Sequence, residues 1–280
     1  MNVPKRHHYV PEVILKRFTD EDGWLHLYSS HDARVRRTRI EKAFCKKHLY
    51  SEVRSDGSKD VKVEHELSWL ESVLEPILMK FERSAQTGDI PRLTDLELLT
   101  WRFYLVVQWK RVPDLHKTVT TDEESAAYLH GILDKIQTAY PNRVAELEML
   151  RRPHEIKRTV RNARIAGTPE VSDRVMRAMA TRGIAILSIT PPQKTIIIGS
   201  RPVVQLAFRK GLKLTDEETE MWLPISSKIA VGLGTKSERE KVYRLADHAA
   251  IRYFNLSIAR QSTEFASCSE ALTKSIAQAA

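Results

Sequence analysis

The spacing of the hydrophobic residues changes twice along this 280-residue chain. After a short helix expected at 11–18, alternation over 24–28 and 34–40 predicts two short strands. Apolar residues between 67 and 81 then recur at helical spacing, and after Gly183 short runs rich in Ile and Val return. An alternating βαβ chain would mix the two patterns throughout. A helical centre between strand-rich ends therefore predicts an α+β fold.

We predict a single domain over 1–280 with three parts. These are a mixed β/α module at 1–65, a helical region at 66–183, and strands followed by C-terminal helices at 184–280. The further helices predicted are 95–112, 123–139, 142–151, 154–165, 169–182, 236–250 and 255–278, the last with Asn255 as N-cap. The later strands predicted are 184–190, 195–198, 203–208, 221–223 and 229–233. The two sets of strands are free to join one sheet.

The composition excludes several classes of protein. Only 10 glycines are present and neither GxGxxG nor GxxxxGK[ST] occurs, which argues against Rossmann and P-loop nucleotide sites. Cys45 and Cys268 form no CxxC pair, so a disulfide framework and a thiolate zinc site are excluded. No apolar run approaches the ~20 residues of a membrane span. We therefore expect a cytoplasmic protein with no membrane partner, and the oligomeric state stays open.

The sharpest local motif is His7-His8-Tyr9-Val10-Pro11. Histidine is a common metal ligand and transfers protons near pH 7, so His8 is a candidate general base or metal ligand. The string is similar to the HHxxP stretch of HNH nucleases, but the asparagine that should follow is missing, since Asn142 is the next one after Asn2. The alternative is that His8 supports the helix beginning at Pro11.

Acidic residues before and within the helix at 67–81 supply a second candidate. Glu71 and Glu75 are four residues apart and share a helix face, where two carboxylates could bind a divalent cation such as Mg²⁺ or Mn²⁺. Glu64 precedes Glu71 by seven residues and aligns with it. The alternative is that these carboxylates form the solvated side of an amphipathic helix.

Two basic clusters supply a third candidate, binding to nucleic acid. Lys and Arg number 45 against 36 Asp and Glu, a formal net charge of +9. Basic side chains neutralise phosphates and release counterions, which needs density on one face but no exact spacing. The candidate contacts are Arg34, Arg36, Arg37, Arg39, Arg158, Arg161 and Arg164. The alternative is a pair of solvated basic faces.

Ser200 is kept among the candidate catalytic residues because it follows a predicted strand, in Gly199-Ser200-Arg201-Pro202. The segment lacks the GxSxG form of a nucleophile elbow, and the sequence assigns it no acid–base partner. A turn at the end of the strand is the alternative interpretation.

Taken together, these motifs resemble a mostly bacterial family known as domain of unknown function 4238. In chain order, the motifs that carry the resemblance are His8-Tyr9-Val10-Pro11 with Leu15 and Phe18, an acidic helix entering at Glu66 to Glu71, Gln108-Trp109-Lys110-Arg111-Val112-Pro113, Ile196-Ile197-Ile198-Gly199-Ser200-Arg201-Pro202 and a C-terminal helix at Asn255. The resemblance covers nearly the whole length. It brings a fold expectation and candidate positions, and no established activity.

The resemblance implies functional positions at His8, Pro11, Arg111 and Pro202, with Glu71 a weaker match. One departure concerns the family's Ser-Asp-x-Pro segment. Aligned on the proline, its Ser-Asp pair falls on Gly199-Ser200, so the carboxylate is missing there. If relatives use that carboxylate, this chain has lost it or employs another group.

Our leading hypothesis is a metal-dependent nuclease of bacterial defence or of a mobile element. His8 would act as general base or metal ligand, Glu71 as metal ligand and Arg111 as a clamp on phosphate. The alternative is a non-enzymatic nucleic-acid-binding or regulatory protein. A third interpretation makes His8, Glu71 and Arg111 a buried structural network.

Overall fold

The computed structural model describes residues 6–115, 121–207, 216, 218–234 and 240–280. It is a mixed α+β fold, as predicted. Within these ranges we find no helix with the length and apolar character needed to span a membrane.

The N-terminal module consists of short strands around two helical turns. Its elements are β1 (Arg6–His8), α1 (Glu12–Leu15) continuing as a 3₁₀ turn, β2 (Leu25–Ser29), β3 (Arg34–Thr38), β4 (Cys45–Lys47), β5 (Glu52–Val53) and β6 (Lys59–Asp60). β1 pairs antiparallel with β4, β2 with β3, and β5 with β6. The pairing of β1 with β4 places the first histidines next to the segment that leads into β5.

The helical region begins with two long helices that contribute many buried side chains. Its helices are α2 (Lys62–Thr87), α3 (Asp95–Lys110), α4 (Asp122–Ala139), α5 (Val144–Leu150), α6 (Pro153–Ala166) and α7 (Asp173–Ala180). The predicted capping box of Thr94 and Glu97 opens α3, because each residue's side chain accepts a hydrogen bond from the other's backbone N–H. α2 runs through Pro76 and ends at Gly88, whose φ is 86°.

The C-terminal part contributes two sheets. Its elements are β7 (Ile184–Ile189), β8 (Ile198–Gly199), β9 (Val204–Ala207), β10 (Thr219–Pro224), β11 (Ile229–Leu233), β12 (Lys241–Leu245), α8 (His248–Gln261), β13 (Glu264–Ser267) and α9 (Glu270–Ala277). One sheet has the order β12-β7-β11-β10-β9, and the other has the order β3-β2-β13-β8. The second sheet therefore joins strands from both ends of the chain.

Two predictions for the C-terminal part are wrong. The segment 236–250, predicted to be a helix, contains β12, which pairs in parallel with β7. Residues 236–239 of that prediction, and Phe208 of the strand predicted at 203–208, lie outside the described residues. The helix at 255–278 is divided by β13. Asn255 is buried inside α8, where its Oδ1 accepts the N–H of Ile197, and Asp247 caps the helix instead. In each case a contact distant in sequence overrides the local pattern.

Two clusters of buried side chains matter for the candidate site. The larger runs from Phe18 through Leu74 and Trp101 to Ile186, and so joins the N-terminal module, α2, α3 and the five-stranded sheet. A separate small cluster holds α4, α5 and α6 together; it consists of Leu133, Leu147, Ile156 and Val160. The three helices thus have a small core of their own, and α6 also packs on β5.

Candidate anion-binding cavity

Arg111 lies at the C-terminal end of α3 and is only 2% exposed. Its Nη1 donates to Oε1 of Glu71 at 2.7 Å, and its Nη2 donates to the main-chain carbonyl of His8 at 2.5 Å. The hydroxyl of Tyr50 donates to the Arg111 carbonyl at 2.9 Å. A buried guanidinium needs partners of this kind. The structure therefore brings three sequence-predicted site residues, His8, Glu71 and Arg111, to one point.

The imidazole of His8 does not share that point. Its Nε2 is 3.1 Å from the carbonyl oxygen of Ile40, and its Nδ1 is 3.4 Å from Oε1 of Glu12. Only the backbone of His8 reaches Arg111. Successive side chains of a strand point to opposite faces, so it is His7 that faces the interior from β1.

His7 is fully buried and contacts Tyr50 and Glu64. Its Nδ1 accepts the N–H of Tyr50 at 3.0 Å, and the two rings stack with centroids 5.9 Å apart. Oε2 of Glu64 lies 3.4 Å from the same nitrogen. Burial raises the pKa of Glu64 to about 7, with Arg111 lowering the pKa and Glu71 raising it. Glu64 is therefore a carboxyl that can exchange its proton near neutral pH.

The segment 48–51 connects β4 to β5, beside these residues. It begins at His48 with φ of 54°, a left-handed conformation that is uncommon outside glycine. Among the described residues, the buried polar atoms without a hydrogen-bond partner include Ser51 Oγ, Glu64 Oε2 and Arg161 Nη1, which lie in or near this segment. Such atoms are rare in folded proteins, and backbone strain is typical of functional sites. Both observations mark this segment as part of a candidate site.

A cavity of about 970 Å³ opens next to the segment 48–51, between α4 and α6 on one side and Arg111 and Pro113 on the other. Asn162 attaches α6 to β5, because its side-chain amide accepts the N–H of Val53 and donates to its carbonyl. The apolar part of the wall includes Leu49, Ile156, Val160 and Ile165. The charged part comprises Arg111, Arg151, Lys157, Arg161 and Arg164 against two carboxylates, Asp122 and Glu123.

The cationic wall comes mainly from one face of α6. Lys157, Arg161 and Arg164 are spaced i, i+4 and i+7 and all line the cavity. Arg161 Nη2 donates to the His48 carbonyl at 2.8 Å, while Arg164 pairs with Asp122. Arg158, predicted to share this face, bonds Glu155 on its own helix and lies outside the cavity lining. Arg161 and Arg164 thus share a face that lines the cavity, and Lys157 takes the place predicted for Arg158.

The second predicted basic group, on β3, lies on a different part of the fold. β3 is at the edge of the four-stranded sheet, whereas α6 packs on β5 and α4. Arg37 and Arg39 lie over the ring of Trp24, with their guanidinium carbons 4.7 Å and 3.9 Å from its centroid. Arg36 faces Asp32 and Glu264 at 3.8 Å and 3.7 Å, and Arg34 is exposed. The two basic clusters are therefore separate surfaces.

Ser200 is buried, with its hydroxyl held by hydrogen bonds. The hydroxyl donates to Oδ2 of Asp114 at 2.6 Å and accepts the N–H of Thr263 at 3.0 Å. Thr263 Oγ1 donates to the same carboxylate oxygen at 2.7 Å. The group links the end of α3 to β8 and β13, and Ser200 does not line the cavity. These hydrogen bonds make Ser200 part of a structural connection between distant segments of the chain.

Metal-ligand geometry was expected for His8 and Glu71. In the described part of the chain, no group of three or more His, Cys, Asp or Glu side chains is placed to hold a metal ion. Glu71 instead binds the Arg111 guanidinium. The described geometry suits anion binding at the cationic wall, and the raised pKa of Glu64 suits a proton-transfer group near neutral pH.

A family model described as "Protein of unknown function (DUF4238)" matches residues 6–270. The chain belongs to the DUF4238 family. No curated protein and no solved structure matches it. The resemblance to DUF4238 implied His8, Pro11, Glu71, Arg111 and Pro202. Of these, the Glu71 carboxylate and the His8 main-chain carbonyl meet at the Arg111 guanidinium.

Three residues next to the predicted positions of this DUF4238 chain were not selected from the sequence. Asp114, which directly follows Arg111-Val112-Pro113, accepts the hydrogen bond of the Ser200 hydroxyl. Tyr50 joins His7 to Arg111, and no local pattern marks it. Lys157 adjoins Arg158 in the predicted basic helix, and a count at spacing i, i+4, i+7 from Arg164 and Arg161 leads to it.

Proposed function

We propose that this chain binds nucleic acid through its phosphate groups, in the cavity between α4, α6 and the segment 48–51. The observation that carries the proposal is the row of Lys157, Arg161 and Arg164 on one face of α6, directed to a cavity of about 970 Å³. Lys and Arg side chains clustered on one helix face are the electrostatic feature that binds phosphate backbones.

Arg161 is the most informative member of this row. Its Nη2 donates to the carbonyl of His48, whereas its Nη1 has no hydrogen-bond partner within the described residues. A buried donor without a partner is unfavourable by about 1–3 kcal/mol. A phosphate oxygen that reached this guanidinium after a small side-chain movement would satisfy the donor. Ligand binding would thereby relieve the unfavourable contribution.

The test is a titration of labelled single-stranded RNA, single-stranded DNA and duplex DNA, followed by fluorescence anisotropy. We expect Arg161→Gln to weaken binding of the preferred nucleic acid at least tenfold. Arg158→Gln is the matched control, because Arg158 lies on the same helix and pairs with Glu155 outside the cavity. Equal binding by the parent, R161Q and R158Q would refute the proposal.

Cleavage of the bound strand is a second candidate function, and Glu64 is the observation that favours it. A carboxyl with a pKa of about 7, beside His7 and near Arg111, has the properties of a general acid or base at neutral pH. The hypothesis of a metal-dependent nuclease with His8 and Glu71 belongs to this candidate. Cleavage assays with Mg²⁺, Mn²⁺ or a chelator test it, with Glu64→Gln, Glu71→Gln and His8→Ala as variants. Cutting that none of the three substitutions reduces would refute this assignment of the site.

A further inference from the structure

The cavity wall has two adjacent rows on the same helix. Lys157, Arg161 and Arg164 form the cationic row, and Ile156 and Val160 precede the first two by one residue each. Residues one apart on a helix project about 100° from each other, so an apolar strip runs beside the cationic one. Leu49 and Ile165 extend the apolar part of the wall. A ligand in this cavity therefore meets charge along one side and apolar surface along another.

The size of the space restricts the ligand further. A volume of about 970 Å³ lies within the range of cavities that enclose small molecules, about 300–1,000 Å³. α4 and α6 pack against each other, which limits the space on the helical side. Nucleic-acid duplexes are bound on open surfaces that follow the backbone over many phosphates. The dimensions therefore fit a unit of about nucleotide size.

We infer that the cavity receives one nucleotide at a time, with its phosphate on the Lys157–Arg161 side and its base against Leu49, Ile156 and Val160. This rests on the proposed function and specifies its ligand. The nucleotide is either the terminal unit of a single strand, whose unpaired base is free to leave the stack, or a free nucleotide. The two sources share the same chemistry, a phosphate next to a planar base.

The first experiment measures binding of adenosine 5′-monophosphate, cytidine 5′-monophosphate, adenosine and inorganic phosphate to the full chain by calorimetry. We expect at least one nucleotide to bind tenfold or more tightly than both adenosine and inorganic phosphate, because the two rows then act together. Lys157→Gln should weaken nucleotide binding at least threefold, and Arg158→Gln should leave it unchanged. Nucleotide binding no tighter than that of inorganic phosphate overturns the inference.

The second experiment separates the two sources of the nucleotide. A linear single-stranded DNA with a 5′-phosphate, the same strand with a 3′-phosphate and its circular form are compared. Recognition of a strand end predicts that the circle binds at least tenfold more weakly than one of the linear forms. A free-nucleotide ligand predicts tight nucleotide binding with no such preference for linear strands.

The failure of this inference is distinguishable from failure of the proposed function. If circular and linear strands bind equally, with R161Q weakening both, and mononucleotides fail to compete, the one-nucleotide inference is wrong while nucleic-acid binding stands. If mononucleotides bind and no oligonucleotide does, the inference stands for free nucleotides and the proposed function is wrong. If none of these ligands binds, both are wrong.

Discussion

The hydroxyl of Ser200 donates a hydrogen bond of 2.6 Å to the carboxylate of Asp114, 86 residues away in the sequence. Thr263, which directly precedes β13, bonds the same carboxylate, so three distant segments meet at one buried group. The carboxylate that accepts the Ser200 hydroxyl therefore comes from the segment that follows α3.

Asp114→Ala is expected to lower the free energy of unfolding by about 1–3 kcal/mol. The reason is that the hydroxyls of Ser200 and Thr263 lose their acceptor in a buried position. Urea unfolding monitored by circular dichroism measures the change. Asp89→Ala, at an exposed position, serves as the control and should change little. Equal unfolding midpoints for both variants would show that the buried group does not stabilise the fold.

Arg111→Met is expected to lower the free energy of unfolding by about 3–5 kcal/mol, because it leaves Glu71 without its partner. With Glu71→Gln as the second change, a double-mutant cycle should give a coupling energy of about 0.5–3 kcal/mol. The exposed pair Arg54 and Asp60, 2.8 Å apart, supplies the control cycle. The coupling of this exposed pair should be much smaller than that of Arg111 and Glu71, because solvent and salt screen it, and equal coupling in the two cycles would contradict the buried network.

Stability is expected to depend on pH through Glu64. Burial raises the pKa of this carboxyl from 4.5 to about 7, so the folded state holds the proton more tightly than the unfolded state. The contribution of the Glu64 carboxyl to the free energy of unfolding is fully present below pH 4.5 and is lost as the pH rises through about 7. Glu64→Gln should therefore gain stability relative to the parent over this interval, and the difference should level off above it.

Urea unfolding of the parent and of Glu64→Gln at pH 5, 6, 7 and 8 checks the pH prediction. Glu66→Gln is the control on the same helix, since Glu66 is exposed and pairs with Lys62. A difference between parent and Glu64→Gln that stays constant from pH 5 to pH 8 would mean that Glu64 does not titrate in this range.

The salt dependence of binding should identify which basic cluster contacts phosphate. For a single strand, each phosphate contact contributes about 0.7 to the slope of log K against log salt. Arg161→Gln should reduce the slope by about that amount. A variant with Arg34→Gln and Arg36→Gln should keep it, because those residues lie on β3, away from the cavity. A slope reduced only by the β3 variant would place the binding surface on the four-stranded sheet instead.

The parts of the fold that were predicted correctly depend on local signals. The capping box of Thr94 and Glu97 specifies the start of α3 within four residues. Lys241–Leu245 lacks such a signal, and it becomes a strand because β7 offers a parallel partner. Asn255 is a good N-cap by residue type, yet its amide is used inside α8 to bond Ile197 and Thr195. Interactions of this kind between distant segments are not readable from one sequence.

The candidate site shows the same difference between local signals and contacts that are distant in sequence. Arg111 and Glu71 were selected from the sequence, and the structure places them 2.7 Å apart. The sequence analysis selects His8, whereas His7 is the histidine that faces the interior. Which of the two is buried depends on the orientation of the three-residue strand β1, and its pairing with β4 fixes that orientation. Tyr50 enters through its contact with His7 across 43 residues, and the link of Asp114 to Ser200 spans 86, so no local pattern marks either contact.

The position of β13 in its sheet has a consequence for the order of events during synthesis. β13 lies between β2 and β8, so the hairpin of β2 and β3, made early on the ribosome, has an open edge until residues 264–267 emerge. An exposed strand edge is prone to pair with other chains. The nascent chain therefore passes through a long interval in which its first hairpin is open to aggregation, and slow or interrupted translation would extend that interval.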